Sequence, residues 1–148
     1  MKKKRISGRR VEYEVYKSLK QVYPNAFIFR YNENRRNATP ADIQLITKDY
    51  NVLLEVKASS SNYIYTHSVR PNQIKSLTLF SKLQDNNLGI IVLWYDKSKS
   101  YVLLPIYDLS QINESRMMYD KMINVGKEIK DWKDIKKILR SIYAGKQK

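Results

Sequence analysis

The chain has 148 residues, 43% of them hydrophobic, which is enough to bury one respectable core and hardly two, so a single domain is expected. Its 28 Lys and Arg against 14 Asp and Glu leave a formal net charge of +14, an imbalance that favours a polyanionic partner, nucleic acid ahead of membrane. The absence of cysteine excludes disulfides, thiolate-held zinc or iron–sulfur centres and thiol nucleophiles, and the single histidine, His67, excludes histidine-cluster sites, so any metal must sit mainly on oxygen ligands.

In chain order, Met1-Lys2-Lys3-Lys4-Arg5 is charged but leads into no apolar stretch, so it does not read as a secretory signal. With no long apolar segment or lipidation signal either, the protein is expected in the cytoplasm and away from the membrane. Val11, Val15, Leu19 and Val22 fall at helical spacing and predict a helix over residues 8–23, with Glu12 and Glu14 in its first half. Phe27-Ile28-Phe29-Arg30-Tyr31 reads as a strand, followed by a polar, arginine-bearing loop over 32–39. Ala41 to Thr47 alternates polar and apolar residues, Lys48-Asp49 makes a tight connection, and residues 50–57 form the next strand, so the two pair as a hairpin.

The second of these strands is aliphatic until Glu55 and Lys57, which alternation places on one side. A hairpin brings Asp42 beside Glu55. Two converging carboxylates suit a hard cation such as Mg²⁺, and a neighbouring lysine can orient an attacking water, which are the parts that phosphodiester hydrolysis needs. The competing reading is a solvated sheet face on which Asp42 is simply the cross-strand partner of Lys57.

Residues 58–67 are rich in Ser and Tyr, and Arg70-Pro71 marks the start of a helix over 71–83, with Ile74, Leu77, Leu79 and Phe80 among its inward residues. Asp85-Asn86-Asn87 ends it. Gly89 to Tyr95 is a nearly continuous apolar strand of the kind covered on both faces, and Ser100 to Ile106 can pair with it across Asp96-Lys97-Ser98-Lys99. Further on, Trp132, Ile135, Ile138, Leu139 and Ile142 repeat at helical spacing among lysines, a stripe suited to docking on the core. With only four glycines the chain carries no phosphate-binding glycine loop, and a nucleotide-driven motor is not expected.

This order of elements resembles the PD-(D/E)XK nuclease superfamily, and within it the archaeal and viral Holliday-junction resolvases. Gly8 and Glu12 match the glycine and glutamate of the family's opening helix, and the likeness runs through Asp42-Ile43, Glu55-Val56-Lys57, Tyr63-Ile64-Tyr65, Gln73 and Leu103-Leu104-Pro105, about residues 5–112. It implies an α/β, restriction-endonuclease-like fold: a mixed central β-sheet flanked by helices. The nuclease core with a basic N-terminal arm would occupy 1–112, and 113–148 would be a basic, partly helical extension of the same domain. Asp42 and Glu55 would be metal ligands and Glu12 a third acidic contributor, through metal or water, with Glu14 its alternative if the helix is rotated. Lys57 would orient the nucleophilic water, and Gln73 would steady Lys57 or a phosphate, or cap its helix. Lys3, Arg9, Arg10, Arg30, Arg35 and Arg36 are candidates for phosphate contacts, and Thr39 for the hydroxyl that the family carries as serine. Ala41 separates Pro40 from Asp42, a departure from the family's adjoining Pro-Asp.

The implied activity is structure-selective cleavage of four-way DNA junctions by a homodimer using Mg²⁺, with Mn²⁺ expected to substitute. A restriction-like or repair endonuclease on the same fold, and a non-catalytic DNA-binding protein, are the alternatives. Trp94 and Tyr101 on the last strands are the expected dimer surface.

Overall fold

A computed structural model describes residues 6–31 and 39–148; Lys3, Arg35 and Arg36 lie outside the described residues. Helix α1 (Gly8–Val22) is capped by Ser7, whose hydroxyl accepts the Arg10 amide at 3.4 Å, and it buries Val11, Val15 and Leu19. Strands β1 (Phe27–Arg30), β2 (Ile43–Ile46) and β3 (Asn51–Ser59) form an antiparallel meander. The chain then makes the short strand β4 (Tyr63–Tyr65) and crosses through α2 (Pro71–Leu83) to β5 (Asn87–Tyr95), which lies parallel to β3. Parallel neighbours need such a crossover, and α2 supplies it. β6 (Ser100–Pro105) returns as a hairpin on β5.

The last part of the chain contributes β7 (Arg116–Met118), which pairs with β4 in a separate two-stranded sheet, the short helix α3 (Tyr119–Val125), β8 (Lys127–Ile129) and α4 (Ile135–Lys146). The main sheet has the order β1-β2-β3-β5-β6-β8. It is the expected mixed sheet flanked by helices. Its two faces bury separate cores: Ile43, Leu45, Val52, Leu54 and Ile90 pack beneath α1 and α4, while Leu53, Ile91, Leu93 and Leu104 pack beneath α2. Among the described residues no helix is long and apolar enough to cross a membrane.

Three expectations need correction. Leu79 is not an inward residue of α2 but is 56% exposed, because the helix turns Leu77 and Ser81 inward and position 79 falls on the opposite side. The strand expected over 50–57 does not stop there: β3 runs on to Ser59, and β4 follows within the Ser/Tyr-rich stretch. Tyr101 is unsuited to a dimer surface, since β8 covers the free edge of β6 and the ring packs edge-on to Trp132 at 5.1 Å and against Trp94 at 4.4 Å. The register of β8 could not be read from Lys127-Glu128-Ile129, which is too short and too charged to carry a strand pattern.

Two contacts fix α2 on the sheet. A methyl group at Gly89 would stand 2.7 Å from the Leu77 carbonyl oxygen, so the helix backbone sits directly on β5 where a side chain is missing. At the other end, the Lys146 ammonium donates to the carbonyls of Ser81 (2.6 Å), Asn87 (2.7 Å), Gln84 (2.9 Å) and Asp85 (3.1 Å). It thereby satisfies acceptors that the end of a helix leaves open. Removing that ammonium in Lys146→Met should cost about 1 kcal/mol, water replacing part of the loss, and lower the melting temperature by about 3 °C in calorimetry.

Candidate active site

The β2–β3 register pairs Ile43 with Leu54, and just beyond the ladder the Asp42 amide donates to the Leu54 carbonyl at 3.0 Å, which brings Asp42 alongside Glu55. Leu54 and Val56 turn toward α1, so Glu55 and Lys57 project together on the α2 side. Lys57 Nζ stands 3.5 Å from Glu55 Oε1. The Asp42 carboxylate accepts the Val56 amide at 2.7 Å, and its side chain reaches that of Glu55. From α2, Gln73 Nε2 donates to Glu55 Oε1 at 2.9 Å while Gln73 Oε1 accepts the Arg70 amide at 2.9 Å. One amide thus caps the helix and orients the carboxylate. The Ser76 hydroxyl, on the same helix, donates to the Pro40 carbonyl at 2.7 Å and ties α2 to the segment before Asp42.

Glu55 is 4% exposed. Burial, then the neighbouring Asp42 carboxylate, push its pKa from 4.5 up to about 8, with Lys57 pulling the other way. Two adjoining carboxylates, one almost withdrawn from water beside Lys57, form an oxygen donor set whose mutual repulsion a divalent cation would relieve. The pair therefore suits a hard divalent cation. Among the described residues, however, no group of three acidic, histidine or cysteine side chains stands close enough to hold an ion together.

Glu12 meets β1 through Arg30. Its carboxylate accepts Arg30 Nε at 2.8 Å, and Arg30 also donates to the Arg9 carbonyl at 3.1 Å. Arg30, a candidate phosphate contact by sequence, is thus engaged with α1. Glu14 is exposed and pairs loosely with Lys17 at 4.0 Å, so the helix turns Glu12 rather than Glu14 toward the sheet. Arg9, Arg10 and Thr39 are exposed. Sequence reasoning missed the Val56 amide, because a backbone donor leaves no mark in residue type. A cleft of about 690 Å³ lined by Tyr23, Phe27, Tyr50, Lys136 and Arg140 lies at the other, turn end of the β2–β3 hairpin and includes none of these site residues.

The chain shares the fold of an archaeal Holliday junction resolvase. The likeness is to Hjc of Archaeoglobus fulgidus, a Holliday junction resolvase from an archaeal hyperthermophile, with a TM-score of 0.61 over 83% of this chain and 97% of that one at 16% sequence identity. No family model and no curated protein matches the chain. At that identity the resolvase likeness establishes the fold, and the chemistry rests on the site geometry.

The buried carboxyl makes the metal-free protein sensitive to pH. Folded Glu55 keeps its proton to about pH 8 whereas its ordinary value is 4.5, so between those limits the folded state binds more protons than the unfolded state. Stability must therefore fall as pH rises through that window. Glu55→Gln, which carries no charge, should melt at least about 3 °C above the unsubstituted chain at pH 8.5 and gain far less at pH 4.5. Equal gains at both pH values in calorimetry would rule out a buried ionisation as the cause.

Proposed function

We propose that this chain is an Mg²⁺-dependent endonuclease, with Mn²⁺ able to substitute, that acts in the cytoplasm and resolves four-way DNA junctions as a homodimer. The single observation that carries the nuclease reading is the convergence of Asp42 and Glu55 with Lys57 3.5 Å from the Glu55 carboxylate. The resolvase-like fold supports the junction as substrate. The net charge of +14 supports a polyphosphate partner.

Asp42 and Glu55 would hold the cation, which supplies charge stabilisation at the phosphoryl oxygens and lowers the pKa of a bound water. The Val56 amide and Gln73 fix the directions of the two carboxylates. Lys57 donates to the attacking water and orients its lone pair toward phosphorus. A new oxygen–phosphorus bond forms as the bond from phosphorus to the leaving deoxyribose oxygen breaks; the water proton passes to solvent, and solvent returns one to the departing oxygen. In this reading Glu12, held by Arg30, contributes from α1 through water. Arg9, Arg10 and Thr39, with Lys3, Arg35 and Arg36, would supply contacts to the DNA backbone.

Glu55→Gln, Asp42→Asn and Lys57→Ala should each lower cleavage of a labelled four-way junction in Mg²⁺ by about a hundredfold or more, within the range seen when positioned catalytic groups are lost. Junction binding measured in Ca²⁺ should persist. Cutting of linear duplex as fast as of junctions would favour the restriction-like or repair nuclease instead, and binding without any cutting would favour a DNA-binding protein.

An apolar strip supports the homodimer. On the α2 side of the sheet, Phe27, Phe29 and Ile46 of β1 and β2 lie beyond the reach of the helix and are exposed. Leu79 and Leu83 continue the strip along the outside of α2, Leu83 being 75% exposed. A groove lined by Gln44, Ile46, Phe80 and Leu83 joins the two parts. A strip this apolar on so basic a chain marks a protein-facing surface, and a second copy related by a two-fold axis would bury the same strip on both partners. Leu83→Lys combined with Phe27→Lys should halve the mass measured by sedimentation, while each subunit still binds a junction arm. A chain that sediments as a monomer before substitution would reject the dimer.

A further inference from the structure

The chain leaves the site at Lys57 and returns to it at Gln73, and the segment between carries a cluster that the proposed chemistry does not use. In β4, alternation sends Ile64 into the core, 5% exposed, and puts Tyr63 and Tyr65 together on the other side. The pairing of β4 with β7 sets Tyr65 opposite Arg116. The Arg116 guanidinium lies 4.4 Å from the centre of the Tyr63 ring and 5.6 Å from that of Tyr65. Tyr65 meets Tyr63 edge-on at 5.4 Å and lies beside the His67 ring at 5.2 Å, the planes 30° apart.

Core packing does not account for this arrangement. Ile64 already anchors the strand, whereas Tyr65 is 43% exposed and His67 and Arg116 are exposed beside it. Among the described residues Arg116 pairs with no carboxylate. The backbone beneath is fixed: the Ser68 hydroxyl donates to the Tyr65 carbonyl at 2.6 Å, the Thr66 hydroxyl to the Glu114 carbonyl at 2.7 Å, and the Tyr119 amide to the Asn62 carbonyl at 2.8 Å. Three rings and a guanidinium are therefore held in place with an open face.

We propose that Tyr63, Tyr65, His67 and Arg116 form a stacking platform for an unpaired nucleobase, Tyr65 taking the face of the base and Arg116 the phosphate beside it. Aromatic rings accept any base on their faces, and an arginine next to them adds charge and a second stacking plane. The proposal rests on the reading that the chain acts on branched DNA, and it supplies a physical reason for selecting a branch: a base at a branch point or bulge has less stacking and pairing to lose than one inside a continuous duplex.

Binding is measured by fluorescence anisotropy in EDTA, with three probes: a continuous duplex, the same duplex with one unpaired thymine, and a short oligothymidine. The unsubstituted chain should bind the unpaired-base duplex about tenfold more tightly than the continuous one, as expected for one stacked base. Tyr65→Leu should erase that preference and weaken oligothymidine binding while leaving continuous-duplex affinity unchanged, and Tyr65→Phe, which keeps the ring, should restore both. Absence of the preference in the unsubstituted chain, or its survival in a folded Tyr65→Leu protein, would overturn the platform. No bond is cut in EDTA, so the two readings fail separately. A chain that shows the preference yet cleaves no DNA keeps the platform and loses the nuclease, and one that cleaves junctions while Tyr65→Leu keeps the preference does the reverse.

Discussion

The register of β2 on β3 is the constraint on which the rest of this structure depends. Because side chains alternate along a strand, a slip of β2 by one residue would send Ile43 and Leu45 out of the core beneath α1 and turn Asp42 away from the face that carries Glu55 and Lys57. The hydrophobic demand of one face therefore holds the chemistry of the other in place. The same register brings Asp42 within reach of both the Val56 amide and the Glu55 side chain, so a single choice of pairing assembles two carboxylates whose positions in the sequence are far apart.

That assembly is unfavourable in isolation. A carboxylate that is almost fully buried beside another carboxylate resists ionisation, and its pKa of about 8 expresses that resistance. What keeps it there is α2, whose Gln73 reaches Glu55 from the first turn. The helix can reach because its middle lies against the bare backbone of Gly89 and its end is held by Lys146, sixty-odd residues downstream. The last helix is thus coupled through α2 to the site. A buried carboxyl pair held by elements that pack well elsewhere is the kind of locally unfavourable arrangement that points to a candidate functional site.

Coverage of the sheet is uneven, and the surfaces that result differ in kind. Over β3, β5 and β6 the helices seal both faces, whereas α2 stops short of β1 and β2 and leaves Phe27, Phe29 and Ile46 bare on its side. At the opposite extreme of the α2 connection, β4, the turn after it and β7 present tyrosine, histidine and arginine instead of aliphatic side chains. An aliphatic strip excludes water and suits another protein surface, while rings beside a guanidinium suit a flat, charged polymer.

The sequence by itself determined the local elements and half of the candidate site. The helical spacing of Val11, Val15 and Leu19, the proline at the start of α2, the aliphatic run of β5 and the short Lys48-Asp49 turn each act through neighbours in the chain, and so the elements and the hairpin pairing were legible. Glu55 and Lys57 share a face for the same local reason, and the hairpin placed Asp42 against Glu55. Only the tertiary structure decided what depends on distant partners. Leu79 faces water because α2 rests on Leu77, Glu12 binds Arg30 because α1 crosses β1, and Tyr101 is covered because Trp132 folds back over β6. Arg116 meets Tyr63 and Tyr65 only because β7 pairs with β4, a contact between two three-residue strands whose sequences carry no periodic signal; pairing of that kind is chosen by the packing of the whole chain.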